Sequence, residues 1–341
     1  MSARERYFRP LVQVGPARPD TALQIAGGWG WFTHVEVLGR GEALQILPAD
    51  VLPADVMTRL TSARADIAGL GMDRPRVMGI LNATPDSFSD GGVNAAAADA
   101  VATGTAMLNA GVDLLDVGGE STRPGAATLA VEAEIQRVVP VIQGLRAAGV
   151  AHAISIDTRK AAVAQAAVAA GANLVNDVSG FTFDPGLAPY CAGQNLPVCV
   201  MHALGDPATM QQDPRYDDVL LDVYDFLERQ IQMLEAAGIP RARIIADPGI
   251  GFGKTRQHNL TLLARLSLFH GLGVPILLGA SRKRFIGTIG NAPEATDRAP
   301  GSIGVALAAL THGIQMLRVH DVPETIQAVA LWRAAMLGLE T

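Results

Sequence analysis

The chain has 341 residues, of which 49% are hydrophobic and 18% are charged, and its formal net charge is −6. This apolar fraction is sufficient for a sizeable core, while the acidic balance argues against nucleic acid as a partner. No stretch approaches the roughly 20 apolar residues that cross a bilayer, and the charged N-terminus lacks the apolar run of a secretory signal. Two cysteines, Cys191 and Cys199, are too few for a disulfide framework. We therefore expect a cytoplasmic protein that contacts neither membrane nor nucleic acid.

Residues 1–72 differ from the rest of the chain and are expected to form a small α+β extension. They include Trp29 and Trp31, two of the three tryptophans, and an alternating run over residues 32–38 that predicts a half-exposed strand. A helical pattern covers residues 55–70 and ends at Gly71. This extension, to which no chemistry can be assigned, is either a cap or a face of an assembly. Residues 73–341 are expected to form the main domain.

From residue 76 onward a unit repeats, in which a short apolar strand ends in polar residues and an Ala- and Leu-rich helix follows. The strands are predicted at residues 77–81, 112–117, 153–156, 173–178, 198–201, 243–246, 276–278 and 316–319. The helices are predicted at residues 95–109, 131–148, 160–170, 217–237, 260–269, 302–311 and 324–337, with a weaker pattern at 185–192.

Eight strands that alternate with helices predict an α/β fold, a (β/α)8 TIM barrel with the small N-terminal α+β extension before it. An open, doubly wound sheet is the alternative. We favour the barrel because polar clusters follow nearly every strand, and in a barrel those strand ends converge on one site.

Residues at the first and last strand ends suit an anion and a hard cation. Asn82 follows the first strand, and Arg318 and His320 lie on the last. Amide oxygens suit Mg²⁺, which keeps several waters, and Arg and His suit a phosphate. These three residues form a potential anion and Mg²⁺ site.

Four further strand-end residues suit a polar heterocycle. Asp157, Asn176, Asp247 and Lys283 supply two carboxylates, an amide and an ammonium. Such a set can satisfy every edge group of the ring, and each charge-assisted hydrogen bond contributes about 1.5–3 kcal/mol. A ring without those edge groups would be rejected.

Lysine usage and a glycine-rich run add to this picture. The chain has three lysines among its 27 Lys and Arg residues, and Lys160, Lys254 and Lys283 all follow strands.

The run GIGFGKT at residues 249–255 resembles a phosphate-binding loop, but Pro248 stands where the first glycine is required. We expect these glycines to allow a close backbone approach to a flat ligand.

The motifs at these strand ends together resemble those of the dihydropteroate synthase family of the folate pathway, over about residues 76–338. They comprise GILNATPDSFSDGG at residues 79–92, DVGGESTRPG at 116–125, SIDT at 155–158, ND at 176–177, DPG at 247–249 with GFGK at 251–254, SRK at 281–283 and RVHD at 318–321. The resemblance implies a TIM barrel, commonly a homodimer, that condenses 6-hydroxymethyl-7,8-dihydropterin diphosphate with 4-aminobenzoate. The products would be 7,8-dihydropteroate and pyrophosphate, with Mg²⁺ assisting.

The resemblance also implies roles for individual residues. Asn82 would ligate Mg²⁺, and Arg318 and His320 would hold the diphosphate. The pterin would be bound by Asp157, Asn176, Asp247 and Lys283, and the aminobenzoate would be bordered by Ser281 and Arg282 with Phe252 as an apolar wall. Thr122 and Arg123, with Pro124, would lie in a second loop beside the substrates. Asp90 would order the first loop or stabilise developing positive charge. The expected catalytic residues are Asp90, Thr122, Arg123 and Lys283.

A dissociative displacement is consistent with these roles, because pyrophosphate leaves readily once its charge is neutralised. It requires no covalent enzyme intermediate. Three alternatives remain at this point: a methyltetrahydrofolate methyltransferase module, a Schiff-base aldolase and a non-catalytic pterin-binding paralogue. The first has no diphosphate to hold, and an aldolase lysine normally projects from a strand.

Overall fold

The computed structural model describes residues 6–83, 92–121, 128–205 and 210–338, and for residues 92–94 the backbone alone. The N-terminal extension contains β1 (Tyr7–Pro10), β2 (Leu23–Gln24), β3 (Trp31–Phe32), β4 (His34–Leu38), β5 (Gln45–Pro48) and α1 (Ala54–Thr61). Strands β1, β4 and β5 form an antiparallel sheet in that order, and β2 pairs with β3. The predicted α+β character of the extension is confirmed.

The predicted helix over residues 55–70 is wrong in its second half, because α1 ends at Thr61. Ile67 and Leu70 instead pair through both backbone hydrogen bonds, at 3.0 and 2.9 Å. Ile67 and Met72 are buried inside the barrel. Packing at this point overrides helix propensity, which is a weak determinant when a tertiary contact competes with it.

The main domain is a parallel eight-stranded barrel, as predicted. Its strands are β6 (Arg76–Asn82), β7 (Leu114–Gly118), β8 (Ala153–Asp157), β9 (Leu174–Asp177), β10 (Val198–Met201), β11 (Ile244–Asp247), β12 (Leu277–Leu278) and β13 (Met316–Val319). They are hydrogen-bonded in the order β11-β10-β9-β8-β7-β6-β13-β12. The ring closes at a bridge between Ala246 and Ile276, where the Ala246 amide donates to Pro275 over 3.0 Å.

Helices follow the strands along the chain. They are α2 (Gly92–Asn109), α3 (Val131–Ala147), α4 (Ala161–Ala170), α5 (Leu187–Gly193), α6 (Val219–Ala236), α7 (Arg256–Leu263), α8 (Arg284–Ile289), α9 (Ala299–Thr311) and α10 (Val322–Leu337). The single helix predicted over residues 260–269 is instead α7 followed by the 3₁₀ helix Leu266–Leu272. All seven residues of that 3₁₀ helix are buried, so it packs on every side.

Alternate residues of each barrel strand point inward and fill the barrel. At its N-terminal end these residues are apolar and form one cluster with Ile67 and Met72: Met78, Leu114, Ala153, Leu174, Cys199, Ile245, Leu277 and Met316. Nearer the carboxyl ends of the strands, the inward positions become polar. This change places the chemistry at the end where TIM barrels carry their active sites.

The extension packs directly on the outside of the barrel. The Trp29 indole donates to the Leu310 carbonyl over 2.9 Å and contacts the Trp332 ring edge-to-face. The Tyr7 hydroxyl donates to Asp225 on α6 over 2.8 Å. The expected boundary at residue 72 comes too late for the barrel core, because Ile67 and Met72 already pack inside the barrel.

Candidate active site

Four polar side chains from four strands form one hydrogen-bonded group at the carboxyl end of the barrel. Arg318 donates through Nε to Asp116 Oδ2 over 2.6 Å and through Nη2 to Asp157 Oδ2 over 2.7 Å. Asn176 donates through Nδ2 to the same Asp116 oxygen over 3.1 Å. In the register of β7, β8 and β9, Asp157 pairs with Asn176, whereas Asp116 lies two residues deeper in the barrel. The inward positions of the three strands alternate in step, so all three side chains point into the barrel.

Asp116 lies within one of the sequence motifs, where no role was predicted for it, and the structure places it at the centre of this group. Asp116 is fully buried, and its Oδ1 has no hydrogen-bond partner in the described part of the chain. The hydroxyl of Ser155, its register partner on β8, is buried and unpartnered in the same sense. The available signal was a carboxylate two residues after Leu114, on the inward face of an otherwise apolar strand.

Asp247 and Lys283 lie on the opposite side of the barrel mouth. Burial raises the pKa of Asp247 to about 6, although the Gly249 amide, which donates to its Oδ1 over 2.7 Å, and Lys283 favour the ionised form. Burial and Arg318 lower the pKa of Lys283 to about 8. The Lys283 ammonium lies 4.0 Å from the centroid of the Phe252 ring. Ammonium, carboxylate and aromatic face thus share one buried space.

Asp157 occupies a mixed environment. Burial raises the pKa of its carboxyl, as does nearby Asp116, and Arg318 opposes that shift. The direct Arg318 contact of 2.7 Å favours the ionised form.

A glycine-rich turn after β11 supports this side of the pocket. Gly249 has a φ of +67°, and a Cβ there would lie 1.9 Å from the carbonyl oxygen of His202. A Cβ on Gly251 would lie 3.1 Å from Lys283 Cδ. A close backbone approach was expected at these glycines. In the described structure the backbone of Gly249 and Gly251 approaches other protein groups, namely His202 and Lys283. Lys254 holds the turn from within, since its Nζ contacts His202 Nδ1 and the Gly249 carbonyl, both at 2.8 Å.

The rim near β13 carries two arginines, Arg282 and Arg318, and each of them pairs with carboxylate groups. Ser281 Oγ accepts from the His320 amide over 3.2 Å and lies 3.0 Å from His320 Nδ1. Burial, Arg318 and Arg282 lower the pKa of His320 to about 3, so its imidazole is neutral near pH 7. Arg282 forms an ion pair with Asp321. The histidine and the two guanidinium groups can all donate hydrogen bonds to an anion.

The structure thus brings most of the predicted site residues to one end of the barrel: Asp157, Asn176, Asp247, Phe252, Ser281, Arg282, Lys283, Arg318 and His320. Asn82 ends β6, half-buried, beside Gly118, which in turn neighbours Asp157. Asp90, Thr122, Arg123 and Pro124 lie outside the described residues. Of the three lysines, Lys283 faces this pocket, whereas Lys160 and Lys254 hydrogen-bond to the protein itself.

Comparison with known proteins agrees with this fold. A family model described as a pterin binding enzyme matches residues 78–320. The chain therefore belongs to the family of pterin-binding enzymes.

Its relatives narrow the family further. The chain is 45% identical over 271 residues to the dihydropteroate synthase of Escherichia coli strain K12, a match that spans 80% of this chain and 95% of the relative. The structure of Xanthomonas albilineans dihydropteroate synthase with 4-aminobenzoic acid has a TM-score of 0.74 and 47% identity, over 80% of this chain and 97% of that one. The Xanthomonas albilineans enzyme in complex with 7,8-dihydropteroate gives 0.71 and 44%, over 80% and 98%.

Proposed function

We propose that the chain is a folate-pathway transferase, which condenses 6-hydroxymethyl-7,8-dihydropterin diphosphate with 4-aminobenzoate to give 7,8-dihydropteroate and pyrophosphate. The observation that carries the proposal is the set of buried carboxylates and amide, with the half-buried ammonium of Lys283, in a chain 45% identical to a dihydropteroate synthase. The methyltransferase alternative would use the same pterin-binding group. The methyltransferase alternative gives no role to the anion-binding residue types at the rim near β13, Arg282, Arg318 and His320, since its substrate carries no diphosphate.

Hydrogen bonding in the pocket matches the edge of a pterin. The ring's amino and N–H donors suit Asp157 and Asp247, and its carbonyl and ring nitrogens suit Lys283 and the Asn176 amide. Buried polar groups without partners are costly. The unpartnered Asp116 Oδ1 and the Ser155 hydroxyl therefore favour a polar ligand, or water bridging to it, over an apolar one.

The diphosphate would lie toward His320, where Ser281, Arg282 and Arg318 provide donors and positive charge. Arg318 donates to two carboxylates, so it would serve both the pterin pocket and the diphosphate. Mg²⁺ fits the donor set if Asn82 supplies an oxygen and the diphosphate supplies others, since this ion is usually held by few protein groups plus substrate phosphates. Within the described residues, no group of three His, Cys, Asp or Glu side chains offers a complete site. When bound, Mg²⁺ would neutralise charge on the leaving group.

Catalysis would then depend on orientation and electrostatics. The bond between the pterin methylene and the diphosphate oxygen breaks, and the electron pair leaves with pyrophosphate. Arg318 and His320 would stabilise that charge, while Asp157 and Asp247 hold the electron-poor ring. The aminobenzoate nitrogen forms the new bond to the methylene and loses a proton. Ser281, Arg282 and Phe252 would border this second substrate, with Thr122, Arg123 and Asp90 contributing from the two loops.

Pyrophosphate release by the purified protein tests the proposal. With dihydropterin diphosphate and Mg²⁺ present, release should depend on 4-aminobenzoate and should be matched by dihydropteroate formation. The variant Asn82→Ala should require more Mg²⁺ for half-maximal rate. Tight pterin binding without turnover would instead indicate a non-catalytic paralogue. Trapping of a substrate carbonyl on Lys283 by borohydride would indicate an aldolase.

Two further features are proposed: a homodimer, which the family resemblance implies, and a cytoplasmic location, which is the expectation from the sequence. In the described part of the chain, no helix has the length and apolarity needed to cross a membrane. Light scattering on the purified protein would establish the mass of the assembly, and cell fractionation would establish the location.

A further inference from the structure

A buried group of charges fastens the chain on both sides of residues 121–128, the segment that contains Thr122 and Arg123. Glu120 precedes this segment and Leu129 follows it. The Leu129 amide donates to Glu120 Oε1 over 2.7 Å, so positions nine residues apart meet directly. Glu120 is 5% exposed, and water therefore competes little for this contact.

Lys160, three residues after the pterin-facing Asp157, completes the connection. Its ammonium donates to Glu120 Oε2 over 3.0 Å, to the Leu129 carbonyl over 2.7 Å and to Glu134 Oε2 over 2.6 Å. An ammonium has three donors, and each of them has a partner here. One buried side chain thus links the end of β7, the start of α3 and the end of β8.

Neighbouring contacts strengthen the same junction. Arg159 donates to the Thr128 hydroxyl over 2.9 Å and lies 3.4 Å from Glu120. Glu134, fully buried, also accepts from the Thr158 hydroxyl over 2.7 Å. Two acidic and two basic side chains form a charge-balanced group, which lowers the cost of burying them.

We propose that Glu120 and Lys160 are positioning residues, which fasten both ends of residues 121–128 to the strand that carries Asp157. The inference rests on the proposed function. Gly118, two residues before Glu120, pairs in register with Asp157, and a Cβ on it would lie 3.6 Å from Asp157 Cβ. The junction therefore begins one step from the pterin pocket and sets where the expected catalytic segment starts and ends. Its effect falls on the reaction with 4-aminobenzoate, and pterin affinity depends on it little.

Three variants of the full chain test this proposal. Glu120→Gln removes the negative charge of this side chain while keeping its size. Thr128→Val removes a single part-buried hydrogen bond, the one donated by Arg159. Asp113→Asn is the matched control at the opposite end of the barrel. Asp113 also accepts a backbone amide, from Val77 over 2.8 Å, and basic side chains, from Arg74 and Arg76 over 2.9 Å each.

Kinetics, calorimetry and hydrogen exchange supply the readouts. In Glu120→Gln, the Leu129 amide should exchange faster and kcat should fall by about 10- to 100-fold, because small misplacements of reacting groups are costly. Pterin affinity should change by less than about twofold. In Asp113→Asn, kcat should match that of the unaltered protein.

Unchanged kcat in Glu120→Gln, despite faster exchange at Leu129, would overturn the proposal, as would equal losses of kcat in Glu120→Gln and Asp113→Asn. If Glu120→Gln does not fold, Thr128→Val decides, with an expected fall in kcat of about two- to tenfold. An unaltered protein that forms no dihydropteroate refutes the proposed function instead. In that case, the hydrogen-exchange rate of the Leu129 amide in Glu120→Gln would still show whether Glu120 holds Leu129 in place.

Discussion

Arg318 and Asp116, 202 positions apart in the chain, meet in a 2.6 Å charge-assisted hydrogen bond inside the barrel mouth. The bond fixes the guanidinium between two carboxylates, since Nη2 also donates to Asp157. The same Asp116 oxygen accepts from Asn176. One fully buried carboxylate therefore orients two of the residues proposed to bind substrate.

Asp116→Asn should weaken pterin binding by about tenfold or more, because a hydrogen bond to a charged group contributes about 1.5–3 kcal/mol. The substitution keeps the size of the side chain and removes the charge that orients Arg318. Calorimetry with a hydroxymethylpterin that lacks phosphates measures the affinity without interference from the diphosphate. An affinity equal to that of the unaltered protein would show that Asp116 does not organise the pocket.

Pterin affinity should be greatest between about pH 6 and pH 8. Asp247, whose pKa is raised to about 6, becomes protonated below that value and loses its charge as an acceptor. Lys283, whose pKa is lowered to about 8, loses its ammonium above that value. Titrating the dissociation constant of the phosphate-free pterin tests this dependence. In Asp247→Asn the acidic loss of affinity should shrink, and the part that remains is expected from Asp157, whose pKa burial also raises. An acidic loss as large as that of the unaltered protein would show that Asp247 does not cause it.

Gly249→Ala should destabilise the protein far more than Gly41→Ala. Both glycines have positive φ, +67° and +70°, so both substitutions carry the backbone cost of about 1–2 kcal/mol that an L-residue meets in the left-handed region. A Cβ at Gly249 would lie 1.9 Å from the His202 carbonyl oxygen, whereas one at Gly41 would meet nothing within 4 Å. Urea unfolding of the two variants isolates the close approach. Equal losses in the free energy of unfolding would mean that the turn relaxes without cost.

Removal of residues 1–72 should destabilise the barrel more than removal of residues 1–66. The shorter deletion keeps Ile67 and Met72, which close the N-terminal end of the barrel. Burying each such side chain contributes about 1.5–3 kcal/mol. Thermal unfolding of the two truncated proteins gives the comparison, and identical midpoints would place residues 67–72 outside the barrel core.

Local periodicity predicted much of the barrel. Strands β10 and β13 begin and end at the predicted residues, 198–201 and 316–319. The closed ring of eight strands confirms the predicted fold class. The prediction was possible because eight short apolar runs separated by helical patterns leave few other arrangements. The prediction of a helix over residues 55–70 was wrong in its second half, because the burial of Ile67 inside the barrel cannot be inferred from local pattern.

The site was predicted in kind but not in organisation. The residue types at the strand ends indicated a polar heterocycle and an anion, since parallel strands in a barrel bring those ends together. The sequence assigned Lys283 to the site but predicted no role for Lys160 or Lys254. Lys283 faces the pocket, Lys160 joins Glu120 to Glu134, and Lys254 supports a turn.

The sequence by itself therefore determined the fold class and the chemical identity of the groups at the barrel mouth, because both follow from local pattern and residue type. Tertiary structure alone decided which charges pair, as between Arg318 and Asp116 or Lys160 and Glu120. Those pairings depend on strand register and burial, and burial makes an unpaired charge so costly that the surrounding fold selects its partner.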